Sequence, residues 1–107
     1  MATTTPSAVT VPVNDNLDAV SSPGLERRLN GLVEEGSTRL VLDLTNLRYL
    51  ASAGLRTIIA AHRFAGMAGG GLHLAGLNGF AQTVVEQSGI AGRIPTFATV
   101  EEAAAAF

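Results

Sequence analysis

The sequence predicts an α/β fold: one domain with a four- to five-stranded, mostly parallel or mixed sheet flanked by about four helices. The chain has 107 residues, 47% of them hydrophobic, which is enough for one core and too few for two. Strand-like and helix-like hydrophobic patterns alternate along the chain. Cysteine is absent, which excludes structural disulfides and thiolate zinc sites. We expect residues 1–7 to form a flexible tail and residues 8–107 to form the domain.

Two strands and one helix are predicted in the first part of the chain. The β-rich run at residues 8–13 contains a proline, which cannot donate to a sheet ladder and therefore indicates an edge strand. Turn-forming residues follow at 14–16. The Ser-Ser-Pro sequence at 21–23 supplies the start of a helix that ends at Gly36. The nearly continuous apolar run at 39–44 is typical of a strand covered on both faces, so we predict it to be the central strand.

The middle of the chain predicts a second helix. Residues 45–49 are interpreted as a connection, and the helix begins at residues 51–53. Five of its residues follow the spacing of a buried stripe: Leu55, Ile58, Ile59, His62 and Ala65. The glycine-rich run at 66–71 ends this helix. A phosphate-binding loop would instead follow a strand and open a helix, so we interpret the run as a helix stop.

Three further elements complete the predicted alternation. Residues 72–75 predict a short strand, and a helix beginning at Leu77 ends at Gly89. Residues 94–97 predict the last strand. Thr99, with Glu102 three residues later, forms a capping box that opens a C-terminal helix ending at Phe107.

The composition argues against several functions. Seven arginines, nine acidic residues and a net charge of −2 leave no basic field for a phosphate backbone, so we expect no direct nucleic-acid partner. The two histidines, His62 and His73, have no metal-ligand spacing, and we predict neither metal nor cofactor. His62 is expected to rest against the core with its ring hydrogen-bonded. No nucleophile elbow surrounds Ser52, so we predict no catalytic residue and no enzyme.

The N-terminal residues predict a cytoplasmic protein. They lack the charged start and the apolar run that a secretory signal needs. Arginines and glycines interrupt the apolar stretches before the ~20 residues that cross a bilayer. We therefore expect no membrane insertion.

Ser52 lies at the junction between a loop and the second helix, soon after the central strand. On the residues alone, the simplest interpretation is a helix N-cap whose hydroxyl accepts a hydrogen bond from an amide of the first turn.

A sequence motif surrounds this serine. Residues 40–55, Leu-Val-Leu-Asp-Leu-Thr-Asn-Leu-Arg-Tyr-Leu-Ala-Ser-Ala-Gly-Leu, resemble the signature of STAS domains, which occur in sulfate transporters and bacterial anti-sigma factor antagonists. Residues 86–90 resemble the family's helix-ending Ser-Gly-Leu, and residues 97–103 resemble its last strand and acidic helix start. Leu17 and Asp18 resemble the Leu-Asp pair that closes an early strand. The resemblance covers about residues 9 to 107.

The resemblance implies a function in regulating transcription. In the antagonists of this family, a serine in an Asp-Ser-Ser-Gly-like motif is phosphorylated by an anti-sigma factor that is a serine kinase with a histidine-kinase-like ATPase fold. Ser52 matches that serine. The unphosphorylated antagonist binds the kinase and frees the sigma factor, and a serine phosphatase is a further expected partner. Ala51 stands where aspartate is usual, and Ala53 where a second hydroxyl often occurs.

We expect the partner to contact one edge of the sheet and the exposed side of the second helix. Loops that leave the C-terminal ends of parallel strands gather at one edge, where recognition sites form. The predicted contact residues are Asp15, Asp18, Ala51, Ser52, Ala53, Gly54, Arg56 and Arg63. The expected assembly state is a monomer or weak homodimer, since a shortened sheet edge invites pairing.

Two other functions are weighed against the phosphorylated antagonist. The chain is alternatively a STAS scaffold that is never phosphorylated, or the small accessory subunit of a lipid transport complex. A nucleotide-binding or hydrolysing protein that uses Asp18 and Ser52 is the third hypothesis, and no phosphate cradle in the sequence supports it.

Overall fold

The computed structural model describes residues 7–107, in which six strands and four α-helices are found. The strands are β1 (Val9–Pro12), β2 (Asp15–Leu17), β3 (Arg39–Asp43), β4 (Leu47–Leu50), β5 (Gly71–Ala75) and β6 (Thr96–Phe97). The helices are α1 (Ser22–Glu34), α2 (Ser52–Met67), α3 (Gly79–Ser88) and α4 (Val100–Ala105), and a short 3-10 helix, Ile90–Gly92, follows α3. Of the predicted tail, residues 1–6 lie outside the described residues.

The main sheet has four strands in the order β1-β3-β5-β6, and every neighbouring pair is parallel. Val11 pairs with Leu42, which pairs in turn with Leu74. This arrangement confirms the predicted α/β fold with a parallel sheet. Pro12 lies in an edge strand, as expected, and β3 lies inside the sheet.

Apolar side chains alternate between the two faces of the sheet. Leu40 and Leu42 of β3 are fully buried in the larger core, to which α1, α2 and α3 contribute. Val41 points to the other face, where it packs in a smaller cluster with Ala75 and with Ala103 of α4. Since both faces are covered, β3 is apolar at consecutive positions rather than at every second one.

A second, two-stranded parallel sheet is formed by β2 and β4. The predictions of a turn at 14–16 and of a connection at 45–49 were therefore wrong. β2 reads Asp-Asn-Leu, which has little β propensity, and the burial of β4 runs buried, exposed, exposed, buried without alternation. Pairing between the two segments makes them strands, and the register shifts beside Asp15, which has a φ of 62°.

The predicted helix ends agree with the structure in most places. Gly36 (φ 101°) and Gly89 (φ 78°) adopt the left-handed conformation at the ends of α1 and α3. The Thr99 hydroxyl accepts a hydrogen bond of 3.1 Å from the Glu102 amide before α4. The amide of Leu72 donates to Nδ1 of His62 at 3.1 Å, so the His62 ring is hydrogen-bonded as predicted. Within residues 7–107, no helix has the length and apolar composition needed to cross a bilayer.

Candidate partner-binding site

The ends of β2 and β4 lie side by side. Leu17, the last residue of β2, pairs with Leu50, the last residue of β4. The Ala51 amide then donates a hydrogen bond of 2.9 Å to the Leu17 carbonyl. Asp18 and Ser52 follow these joined residues in the chain, so both lie at the same edge of the domain. From the sequence, the strands now called β1 and β3 were expected to carry Asp18 and Ser52 to the same edge. In the structure, β2 and β4 place them there.

Ser52 is the first residue of α2, and its side chain is exposed. The N-cap residue is Ala51, whose backbone is extended and whose methyl group cannot cap the helix. The predicted capping role of Ser52 is therefore wrong, because the cap position falls one residue earlier. Among residues 7–107 the Ser52 hydroxyl has no hydrogen-bond partner. The first turn of α2 thus presents an uncapped, positively polarised end beside a free hydroxyl.

Gly54 fixes how closely α2 approaches the small sheet. It is buried, and a Cβ atom at this position would lie 2.8 Å from Leu17 Cγ, from the Leu17 carbonyl oxygen and from Leu50 Cδ1. Such distances are too short for a side chain. Gly54 therefore positions Ser52 and does not itself supply a contacting side chain.

Asp18 organises the loop between β2 and α1. Its Oδ1 accepts hydrogen bonds of 3.0 Å from the amides of Val20 and Ser21, and the Ser21 hydroxyl accepts one of 3.0 Å from the Asp18 amide. The hydrogen bond from the Ser21 amide lowers the pKa of Asp18, and the bond from the Val20 amide lowers it by a smaller amount. Desolvation raises the pKa and offsets only part of this effect. The Asp18 carboxylate thus stabilises the conformation of this loop through its hydrogen bonds.

Exposed apolar residues lie next to these elements, and the sequence analysis did not select them. Val20 is 90% exposed within the Asp18 loop. Tyr49 of β4 and Phe80 of α3 are about half exposed and stack with centroids 5.6 Å apart and an interplanar angle of 6°. In the sequence Val20 is a single apolar residue in a polar turn, which by itself is an ordinary surface feature and gave no signal of a contact.

The remaining predicted residues fall into two groups. Ala51 and Ala53 are half-buried at the start of α2, and Arg56, one turn later, is exposed and lines a groove between α1 and α2 together with Ala53. Arg63 is also exposed, but it lies about two turns further along α2 and does not line that groove. Asp15 is exposed at the opposite end of β2, where it pairs with Leu47. The structure thus brings Asp18 and residues 51–56 together at one edge of the domain. Asp15, at the other end of β2, and Arg63, two turns further along α2, lie outside this group.

No group of three or more His, Asp or Glu side chains arranged to hold a metal ion is found in residues 7–107. The residues gathered here supply the Ser52 hydroxyl, the Asp18 carboxylate, the Arg56 guanidinium, backbone amides and apolar surface.

Comparison with known proteins identifies the family. The STAS domain model matches residues 1–103. The chain belongs to the STAS domain family. BtrV of Bordetella bronchiseptica, named as a candidate anti-sigma factor antagonist, is 35% identical over 91 residues, which are 85% of this chain and 78% of BtrV.

Solved STAS structures share the fold. An anti-sigma factor antagonist from Mycobacterium paratuberculosis superposes with a TM-score of 0.83 at 24% identity, covering 99% of this chain and 90% of that one. SpoIIAA of Bacillus, an anti-sigma factor antagonist, matches in its unphosphorylated form with a TM-score of 0.78 at 19% identity, covering 95% and 89%. Its phosphorylated form matches with a TM-score of 0.70.

A transporter domain has the same fold as well. The STAS domain of a SulP transporter from Vibrio cholerae matches with a TM-score of 0.73 at 17% identity, covering 97% of this chain and 83% of that one. At these identities the likeness to solved structures establishes the fold alone, which agrees with the predicted STAS fold.

Proposed function

We propose that this chain is an anti-sigma factor antagonist controlled by phosphorylation of Ser52. Unphosphorylated, it binds a serine-kinase anti-sigma factor with a histidine-kinase-like ATPase fold and so frees a sigma factor. The observation that carries the proposal is the exposed, unbonded hydroxyl of Ser52 at the uncapped start of α2. The name of the relative BtrV supports it, as does the existence of SpoIIAA in a phosphorylated form. The proposed role is regulatory, cytoplasmic and not enzymatic.

A phosphate on Ser52 is compatible with the fold. It brings about −1.5 to −2 charges and three acceptor oxygens. At the N-terminus of α2 these meet backbone amides that no side chain caps, an interaction of roughly 0.3 to 1 kcal/mol at an exposed site. Arg56, four residues later, lies one helical turn away and supplies a cation on the same side of α2. The phosphorylated chain therefore remains folded.

The same phosphate is incompatible with a closed interface at this surface. Half-buried Ala53 follows Ser52 directly in the first turn of α2, and exposed Val20 lies in the Asp18 loop at the same edge of the domain. A partner that packs against a neutral hydroxyl and these groups has to desolvate or repel a dianion after phosphorylation. A loss of about 3 kcal/mol lowers affinity by roughly two orders of magnitude. Charge on Ser52 therefore switches binding without unfolding the domain.

Phosphorylation by the cognate kinase is the direct test. The chain is incubated with the anti-sigma factor and ATP, and intact mass and peptide mapping follow the product. We expect one phosphate, located on Ser52, and none on a Ser52→Ala variant. Calorimetry should show binding before the reaction and its loss afterwards. Modification at other residues only, or none by a kinase that binds the chain, contradicts the proposal.

A non-phosphorylated STAS scaffold, or an accessory subunit of a lipid transport complex, is the second candidate. Ala51 favours it, because the antagonists usually carry aspartate before the serine, and a transporter STAS domain shares the fold with a TM-score of 0.73. Gene neighbourhood discriminates the two. An adjacent anti-sigma kinase or serine phosphatase gene supports the antagonist, and adjacent transporter ATPase and permease genes support the accessory subunit.

A further inference from the structure

The far edge of β6 is unpaired. β6 is the last strand of the main sheet, so no strand lies beyond it among residues 7–107. On its inner side, the amide of Leu74 donates to the Pro95 carbonyl at 2.9 Å. The amide of Gly76 donates to the Phe97 carbonyl at 3.1 Å. This alternation turns the N–H and C=O of Thr96 away from β5, and neither group has a hydrogen-bond partner in the described part of the chain.

A groove of about 320 Å³ follows this free edge on the side of α3. Thr96 and Ala98 line it from the strand, and Val85, which is 1% exposed, lies at its floor. Leu77, half-buried before α3, adds a second apolar side chain. The Phe97 side chain points to the opposite face of the sheet, where it packs in the smaller cluster with α4. A strand added to the free edge would therefore place every second side chain over an apolar floor.

Glu86 gives the groove an acidic rim. It is the one charged residue among the eight that line the groove, and it is exposed. Its Oε1 accepts a hydrogen bond of 3.1 Å from Gln82 Nε2, and its Oε2 has no partner among residues 7–107. An occupant with a positive charge is therefore favoured. A second copy of this chain, paired through the same edge, would bring its own Glu86 to the junction, where the two carboxylates repel each other.

We propose that the free edge of β6 binds an extended, basic segment of another protein as an added strand. The main-chain groups of Thr96 pair with the backbone of this segment, an aliphatic side chain enters the groove above Val85, and an arginine or lysine pairs with Glu86. Main-chain hydrogen bonds at a sheet edge give affinity for extended peptides, and pockets for alternate side chains give specificity. Because β6 has two residues, the groove supplies most of the contact. The proposal is independent of Ser52 and of the proposed function above.

A peptide titration tests the segment chemistry. Amide resonances of the full chain are followed by NMR while acetyl-Thr-Val-Thr-Arg-Thr-amide is added. The valine and the arginine of this peptide lie on one face when it is extended. We expect concentration-dependent shifts at Val85, Glu86 and Thr96. Replacing the arginine of the peptide by glutamate should raise the Kd about threefold or more. An absence of shifts, shifts elsewhere only, or tighter binding of the glutamate peptide overturns the proposal.

N-methylation of the peptide tests the main-chain contact without changing the chain. Alternate amides of an added strand face β6, so one set of N–H groups takes part in pairing. One peptide carries N-methyl groups at its second and fourth residues, and another carries them at its third and fifth. We expect one of the two to bind about fivefold or more weakly than the other. Loss with the first indicates antiparallel pairing, and loss with the second indicates parallel pairing. Equal affinities of the two overturn pairing with β6.

Thr96→Pro removes the free amide from the protein side. The hydrogen bonds to β5 use the groups of the neighbouring residues, so this edge position should accept proline, and the N-methylated peptides decide the contact if the variant fails to fold. We expect the Kd for the arginine peptide to rise about fivefold or more, whereas Thr96→Val, which keeps the amide, should bind like wild type.

Glu86→Gln tests the acidic rim. It should weaken binding of the arginine peptide about twofold or more, and Glu101→Gln, exposed on α4, is the control that should leave the Kd unchanged. Equal effects of the two variants, or unchanged binding by Thr96→Pro, overturn the proposal. Shifts of the Thr96 amide that grow with chain concentration in the absence of peptide indicate pairing between two copies and overturn it as well.

Discussion

The Ala51 amide and the Leu17 carbonyl are joined by a hydrogen bond of 2.9 Å. This bond connects the residue before Ser52 to the residue before Asp18. It continues the pairing of β2 with β4 one step beyond the strands, to the point where α2 begins. The position of the serine is therefore determined by a small parallel sheet rather than by the main sheet alone.

Gly54→Ala tests the close approach of α2 to this small sheet. A methyl group at residue 54 would meet Leu17 and Leu50 at 2.8 Å, so the helix start has to move or the neighbours have to repack. We expect a loss of about 1–3 kcal/mol in the free energy of unfolding, measured by denaturant titration. Because α2 is displaced, phosphorylation of Ser52 should also slow.

Gly66→Ala is the matched control on the same helix. No atom lies within 4 Å of a Cβ placed there, and alanine is favoured over glycine in helices by about 0.5–1 kcal/mol. This variant should be equal to or more stable than wild type. Equal stability losses in both variants would show that packing at Leu17 is not the cause.

Ser52→Ala and Ser52→Asp separate stability from charge. Ala51 occupies the cap position, so alanine at residue 52 should change the free energy of unfolding by less than about 0.5 kcal/mol. Aspartate should stabilise the helix start by roughly 0.3 to 1 kcal/mol. Thermal melting checks both values. In calorimetry the alanine variant should bind the anti-sigma factor and the aspartate variant should not, and equal affinity of the two would refute control by charge.

The parts of this molecule that the sequence predicted well are those with their own local pattern. β3 carries three consecutive apolar residues, at positions 40–42, and Gly36 and Gly89 end helices because their backbone needs a positive φ. The prediction failed where pairing between distant segments decides the structure, as in β2 and β4. A shift of one residue at the start of α2 was enough to turn Ser52 from a predicted cap into an unbonded hydroxyl.

Asp18 predicts a pH dependence of stability. Hydrogen bonds from backbone amides hold the pKa of this carboxyl in the folded chain below its ordinary value of 3.8. Its contribution is therefore present above pH 3.8 and is lost as the pH falls through the lowered pKa. The stability advantage of wild type over Asp18→Asn, measured by denaturant titration between about pH 5 and pH 2, should shrink as the pH falls. An advantage that is constant over this range would show that the ionised carboxylate does not stabilise the loop.

Val20 predicts an apolar contact in the partner interface. Its side chain is 90% exposed, so replacing it with serine should leave the melting temperature unchanged. If the partner covers it, Val20→Ser should weaken binding by about 1–2 kcal/mol, roughly fivefold to thirtyfold. Met67, 86% exposed at the end of α2, is the matched control. A larger effect of Met67→Ser than of Val20→Ser would place the interface at the other end of the helix.

We expect Arg56 to lower the second pKa of a phosphate on Ser52. The second pKa of phosphoserine is about 6, and a cation one helical turn away favours the dianion and lowers that pKa. An acidic group four residues before a basic one on a helix contributes about 0.3–0.5 kcal/mol, which corresponds to about 0.2–0.4 pH unit. A ³¹P NMR titration of the phosphorylated chain should therefore show a higher pKa in Arg56→Gln than in wild type. Arg63→Gln, eleven positions and about three turns from Ser52, should titrate like wild type. If both arginine variants shift the titration equally, the phosphate senses only the net charge of α2, and Arg56 does not contact it.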